Sequence, residues 1–172
     1  MNKLILILIF IISSTVMAQQ PTPKDAFLEK WENSKEYLLE IAELMPEEKY
    51  NYKPTEREMS FKDQLLHIRG NMLWLSTTYF SSETFDRDKL KENLPKTKEE
   101  TLQLIKQAFE KVYQKIKNSD PADFKTEVDF FAGPKTKLQI LNLLQDHVTH
   151  HRGQLLVYLN LNEVKPPRYV GW

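Results

Sequence analysis

The sequence predicts an all-α protein that folds as a four-helix bundle. Four segments carry apolar residues three or four positions apart, which places them on one face of a helix. Three of these segments begin with Ser or Thr followed three positions later by Asp, Glu or Gln, a pattern typical of helix N-termini. No series of segments with strand-like periodicity competes with them. Four amphipathic helices of this length bury their apolar faces by packing into a bundle.

The first 18 residues are predicted to be a secretory signal peptide. A short basic start at Lys3 precedes an apolar run over residues 4–12, and Ala18 ends a small-residue cleavage pattern. The apolar run is shorter than the roughly 20 residues that a membrane-spanning helix needs. We therefore expect export, to the periplasm or outside the cell, without stable membrane insertion after cleavage. The remaining residues 19–172 are predicted to form one domain.

The first two predicted helices are separated by a polar connection. The first helix spans residues 25–45, and Pro46 ends it. The connection covers residues 47–58. Ser60 then begins the second helix, which runs to about Phe80. The apolar stripe of the second helix consists of Phe61, Leu65, Ile68, Met72, Leu75 and Tyr79.

The third and fourth predicted helices are joined by the longest break in the pattern. A polar connection with a short turn near Leu90 leads to the third helix, residues 97–117. The break, residues 118–135, contains proline and glycine but also several apolar side chains. We expect it to fold onto the bundle as a loop or as a short pair of strands. The fourth helix spans residues 136–161.

Charge and cysteine content exclude several classes of function. Basic and acidic side chains are equal in number, 24 of each, and removal of Lys3 leaves one acidic group in excess. No basic stripe is present, so nucleic acid is not an expected partner. The chain has no cysteine, so a metal ion could be bound only by His, Asp or Glu.

Three of the four histidines lie in the segment DHVTHHRGQ, residues 146–154. His147 and His151 are four residues apart and therefore share one face of the fourth helix, a spacing that lets two imidazoles bind one metal ion. The remaining histidine, His67, lies at the edge of the apolar stripe of the second helix. His67, His147 and His151 are the candidate metal ligands. The alternative is that each is a structural histidine hydrogen-bonded inside the core.

Helical geometry separates the residues of this segment. At about 100° per residue, His147 and His151 fall within about 60° of Leu144, in the middle of the predicted inward face. His150 lies about 120° away on the flank, and the pattern does not decide whether it contributes a ligand. Arg152 is predicted to turn away from the inward face and to make an ion pair at the surface or with another subunit.

Three neutral imidazoles would leave coordination positions open, as in catalytic metal sites. A water or thiol bound there would have a lowered pKa. Zinc and nickel both suit imidazole ligands. Asp63 lies one turn before His67 and is a candidate acceptor that orients the His67 ring. Alternatively, Asp63 only stabilises the start of its helix. No further catalytic residue is assigned.

The histidine pattern also resembles that of a known family. The residues that carry the resemblance are the lead-in KP at 53–54, SFKDQLLH at 60–67, His147, HRGQ at 151–154 and a Pro-Pro tail at 166–167. Together they resemble the DinB-like (DinB/YfiT-like) superfamily. The resemblance implies a four-helix bundle, a divalent metal ion on the three histidines and often a homodimer. The superfamily includes thiol-dependent S-transferases, whose thiols are mainly cytosolic, whereas this chain is predicted to be exported.

Two functions follow as expectations. The first is an enzyme in which the metal ion activates a thiol or water to attack a small-molecule substrate, as a transferase or hydrolase, with a thiol as possible co-substrate. The second is a non-catalytic helical module of the cell envelope that binds metal or a small ligand. A third interpretation, without metal, predicts that His147→Ala alters stability but not metal content.

Overall fold

The computed structural model describes residues 21–92 and 94–170 and is mainly helical. Its helices are α1 Pro23–Leu44, α2 Phe61–Phe80, α3 Lys89–Glu92, α4 Lys98–Asn118 and α5 Lys137–Leu161, and its strands are β1 Glu127–Val128 and β2 Lys135–Thr136. The four long helices are the four predicted ones, so the helical fold class is confirmed. Helix α3 is a single turn at the predicted turn near Leu90. The predicted signal peptide lies outside the described residues.

Each long helix begins at a side chain that satisfies its first N–H groups. Thr22, Thr97 and Thr136 form capping boxes with the residue three positions later. Ser60 accepts a hydrogen bond from the backbone N–H of Asp63 at the start of α2. Such caps contribute about 1 kcal/mol each. The caps at Ser60, Thr97 and Thr136 explain why three helix starts were predictable from sequence, whereas α1 begins at Pro23, two residues before its predicted start.

The long helices pack around one apolar core. Helices α1 and α2 each pack against both α4 and α5, so α1 and α2 lie at opposite corners of the bundle. In the core, the indole N–H of Trp31 donates to the carbonyl oxygen of Phe109 at 3.1 Å, and the two rings lie 4.7 Å apart. Within residues 21–92 and 94–170, no helix is both long enough and apolar enough to cross a membrane.

The break before α5 forms the short strand pair that was one of its two predicted forms. Strands β1 and β2 are antiparallel, with Glu127 opposite Thr136. The loop between them carries Phe130 and Phe131, whose rings stack on Trp74 of α2 at 6.1 and 6.4 Å. The hairpin therefore covers α2 and leads directly into α5.

The inward face of α5 is rotated from its predicted position. The buried apolar residues of α5 are Ile140, Leu141, Leu144, Val148, Leu155, Tyr158 and Leu159. His151 lies among them, but His147 is only half-buried and lies at their edge. The prediction that His147 lies in the middle of this face is wrong. The rotation arises because α5 packs on α1 as well as on α2, and this brings the side of α5 carrying Gln145 and Arg152 inward.

Candidate metal centre

Helices α2 and α5 bring the three predicted ligands together. His67 lies on α2, and His147 and His151 lie one turn apart on α5. Their ring centroids are between 4.5 and 4.8 Å apart. One ligand atom from each ring lies within 4.8 Å of the others, and the Nε2 atoms of His67 and His147 are 3.0 Å apart. The three histidines therefore form a cluster that could hold one metal ion.

The environment keeps the three imidazoles neutral at pH 7. Burial and the neighbouring histidines lower the pKa of His147 to about 3 and that of His151 to about 4. Burial also lowers the pKa of His67, the most exposed of the three. Because a neutral imidazole keeps one lone pair for a metal, the cluster offers donor atoms to a cation instead of repelling it.

Gln64 of α2 determines which nitrogen of His151 is free. Its Oε1 lies 2.6 Å from Nδ1 of His151, so Nδ1 donates its proton there and Nε2 keeps its lone pair. The Gln64 amide nitrogen donates to Oε1 of Gln154 at 2.7 Å and lies 3.4 Å from the Tyr158 hydroxyl. That hydroxyl in turn donates to the carbonyl oxygen of Met59 at 2.9 Å. This network holds the Gln64 amide in one orientation.

Sequence reasoning did not identify Gln64 and Gln154 as parts of the site. Gln64 lies three residues before His67, and Gln154 lies three residues after His151. Gln64 is 1% exposed, so its amide must find partners inside the bundle. An amide on the apolar face of a helix, one turn from a candidate ligand, is the signal that could have found it.

The cluster does not include His150 or Asp63. His150 is exposed, and its Nε2 accepts a hydrogen bond from the amide nitrogen of Gln154 at 3.1 Å. The Asp63 carboxylate accepts from the Ser60 hydroxyl at 2.6 Å, and among the described residues it makes no hydrogen bond to His67. These are the contacts of a capping residue. A role for Asp63 in orienting His67 stays a prediction, which the metal affinity of Asp63→Ala would test.

Arg152 does not reach the surface, and that prediction is wrong. The residue is 5% exposed, and its guanidinium lies over the ring of Tyr37 on α1, 4.8 Å from the centroid. The Tyr37 ring is also packed edge-on by Tyr169 from the C-terminal tail, at 6.3 Å. Arg152 makes no salt bridge within the described part of the chain. It lies on the side of α5 that faces α1, which the predicted inward face did not include.

The donor set fits a divalent cation such as zinc or nickel. Three neutral imidazole nitrogens converge, and imidazole is a good ligand for both metals. Nδ1 of His147 is buried and has no hydrogen-bond partner among the described residues, so the polar contact of this ring is the one between its Nε2 and Nε2 of His67. Neutral ligands do not compensate the charge of a divalent ion, and three of them leave coordination positions for another molecule.

Comparison with known proteins adds a family and a fold. The DinB family model matches residues 17–169. A DinB-like protein from Bacillus subtilis has a similar structure, with a TM-score of 0.69, 20% identity and coverage of 84% of this chain and 96% of that one. A DinB-like protein from Bacillus cereus gives a TM-score of 0.68, 19% identity and coverage of 83% and 95%. Comparison with curated proteins found no match. At these identities the structural likeness concerns the fold alone.

Proposed function

The chain belongs to the DinB family, and on that premise we propose that His67, His147 and His151 bind one divalent metal ion, zinc or nickel. We further propose that the protein is a metal-dependent transferase or hydrolase that activates a thiol or water to attack a small molecule. The observation that carries the proposal is the convergence of three neutral imidazoles within 4.8 Å.

The residues around the cluster have distinct parts in this proposal. His67, His147 and His151 would hold the ion, which would supply a nucleophile at neutral pH by lowering the pKa of a bound thiol or water. Gln64 holds Nδ1 of His151 and so presents its Nε2 inward. His67 is exposed, so a substrate can reach the cluster from the side of α2. The buried Tyr158 hydroxyl fixes Gln64 from behind.

A non-catalytic module that binds metal or a small ligand is the second candidate. One observation favours it: in the described part of the chain, the groove beside His67 is lined by arginine and lysine but by no carboxylate. A general base other than a histidine is therefore not provided there. The two functions share the metal site and differ in whether a bound molecule is converted.

Metal content tests the shared part of the proposal. The wild-type protein, loaded with zinc or nickel and then freed of unbound ions, is expected to retain about one ion per chain. His147→Ala removes a ligand and should abolish retention. His150→Ala is the matched control, because His150 lies next to His151 but outside the cluster, and it should retain the metal. Elemental analysis measures all three. Loss in both variants, or no metal in the wild type, would refute the site.

Turnover separates the enzyme from the binding module. The metal-loaded protein is assayed for conjugation of low-molecular-weight thiols to electrophiles and for hydrolysis of small esters and amides. The enzyme proposal expects turnover that disappears in His147→Ala and persists in His150→Ala. Ligand-dependent increases in melting temperature without turnover on any class would instead support the binding module.

Export and dimer formation are separate proposals. We propose that residues 1–18 direct the protein to the periplasm or out of the cell, and that the mature chain forms a homodimer. N-terminal sequencing of the protein from fractionated cells tests the first, and retention of Met1 in a cytosolic fraction would refute it. Light scattering of the mature protein tests the second.

A further inference from the structure

A groove of about 290 Å³ opens beside His67, between α2 and the segment that contains α3. Asn71 and Trp74, the next residues on the same face of α2, line it together with His67. The volume lies just below the range for small-molecule pockets, roughly 300–1,000 Å³. A molecule in this groove would contact the most exposed ligand of the proposed metal site.

The charged side chains that line the groove are all cationic: Arg69, Arg87 and Lys91. Lys91 is paired with Asp88 at 2.8 Å. Within residues 21–92 and 94–170, Arg69 and Arg87 make no salt bridge. Arg69 is half-buried, and burial lowers the pKa of its guanidinium. A partly desolvated guanidinium without a carboxylate partner is stabilised when an anion binds beside it.

Asn71 adds a polar group that has no partner. Its Oδ1 is buried and accepts no hydrogen bond from any described residue. Asn71 lies one turn after His67 and lines the groove next to it. A buried acceptor without a donor costs free energy. This oxygen is closed to solvent, so a molecule in the groove would reach it only after the Asn71 side chain rotates.

The aromatic wall of the groove is held in place before any ligand binds. Trp74 stacks on Phe130 at 6.1 Å and on Phe131 at 6.4 Å, and Phe85 also lines the groove. A fixed indole offers a flat apolar surface at little cost in side-chain entropy. The groove therefore combines an apolar wall with free guanidinium groups.

We propose that this groove binds a small organic anion that has an apolar body, such as an aryl carboxylate, and that Arg69 and Arg87 bind its charged group. This proposal names the substrate class of the metal site and so rests on the proposed function. The body of the ligand lies against Trp74, next to Asn71.

A matched pair of probes tests the charge. Binding of 3-phenylpropanoate and of its neutral amide, 3-phenylpropanamide, is measured by calorimetry on metal-free and zinc-loaded protein. The carboxylate is expected to bind at least about tenfold more tightly, because it gains charge-assisted hydrogen bonds. Equal binding of acid and amide to both forms would overturn the proposal.

Variants then locate the binding. Arg69→Gln should remove most of the preference for the acid, and Arg87→Gln should reduce this preference less because Arg87 is exposed. Arg57→Gln is the control, because Arg57 is exposed but does not line the groove, and it should leave the preference unchanged. Trp74→Leu should weaken the binding of the acid and of the amide to the same extent. Circular dichroism verifies folding, and if Arg69→Gln does not fold, Arg87→Gln and Arg69→Lys replace it. If Arg69→Gln and Arg87→Gln fold and keep the full preference for the acid, the proposed anion site in the groove is refuted.

Measurements on metal-free and on zinc-loaded protein distinguish failure of the proposed anion site from failure of the proposed metal site. If the acid binds only to zinc-loaded protein and Arg69→Gln has no effect, the metal ion alone binds the anion. That result would overturn the proposal that the groove binds the anion, and the proposed metal site would stand. If the protein retains no zinc but binds the acid through Arg69, the groove stands and the proposed metal function fails.

Discussion

His151 and Arg152 are adjacent on α5 and almost equally buried, at 7% and 5% exposed, yet they occupy opposite kinds of site. His151 faces α2, where Gln64 accepts its Nδ1 proton. Arg152 faces α1, where its guanidinium lies over the ring of Tyr37. The two flanks of one helix therefore hold buried polar groups in different ways.

The difference lies in what each side chain can do with its proton. Burial lowers the pKa of His151 to about 4, so the imidazole is neutral and can accept a cation. Arginine keeps its proton in proteins, so Arg152 brings its own charge into the bundle. Burial raises the pKa of Tyr37, so that ring is a neutral phenol and stabilises the charge through its π face. The side of α5 that faces α2 is therefore suited to binding a metal ion, and the side that faces α1 is suited to stabilising the bundle.

Removing the ring over Arg152 should have the largest effect on stability. Tyr37→Ala deletes a buried aromatic side chain and uncovers the guanidinium, and we expect a loss of about 3–5 kcal/mol in the free energy of unfolding. Tyr37→Phe keeps the π face and should cost much less. Urea denaturation measures both. Metal affinity should stay unchanged in Tyr37→Phe, and a drop there would contradict the separation of the two flanks.

Removing the acceptor of His151 should mainly change metal affinity. Gln64→Leu keeps roughly the volume of the side chain but removes the nearer acceptor of Nδ1 of His151 and leaves only the weaker one, Oε1 of Gln154 at 3.2 Å. We therefore expect metal affinity to fall about 10-fold. Gln64→Glu keeps the acceptor and is the matched control. Competition with a zinc chelator measures the affinities. If Gln64→Leu binds zinc as tightly as the wild type, Gln64 does not position His151.

Substitution of Gly153, which follows His151 and Arg152 in the sequence, should have the smallest effect on stability. It is exposed within α5, and a Cβ added there would meet no atom within 4 Å. Gly153→Ala therefore lowers the entropy of the unfolded chain without a clash, and we expect a gain of roughly 0.4–1 kcal/mol. The melting temperature measures this gain, and metal affinity should not change. Destabilisation would mean that this face of α5 is covered in solution.

The fold was largely predictable because its signals are local. Thr97 and Thr136 form capping boxes with residues three positions along the chain, so the helix starts depend on neighbours in sequence. The pairing of His147 with His151 follows from helical periodicity in the same way. In contrast, Gln64 becomes part of the site only because α2 packs against α5, and no spacing along the chain specifies that contact.

Four helices, three of their starts and a pair of imidazoles on one helical face were predictable from sequence, because each of these depends on residues within one or two turns. Which side of α5 faces inward depends instead on how the helices pack. This packing rotated His147 to the edge beside His67 and turned Arg152 onto Tyr37. The physical reason is that α5 must bury apolar surface against both α1 and α2. The resulting rotation depends on the side chains of all three helices together, and the periodicity of α5 alone does not contain it.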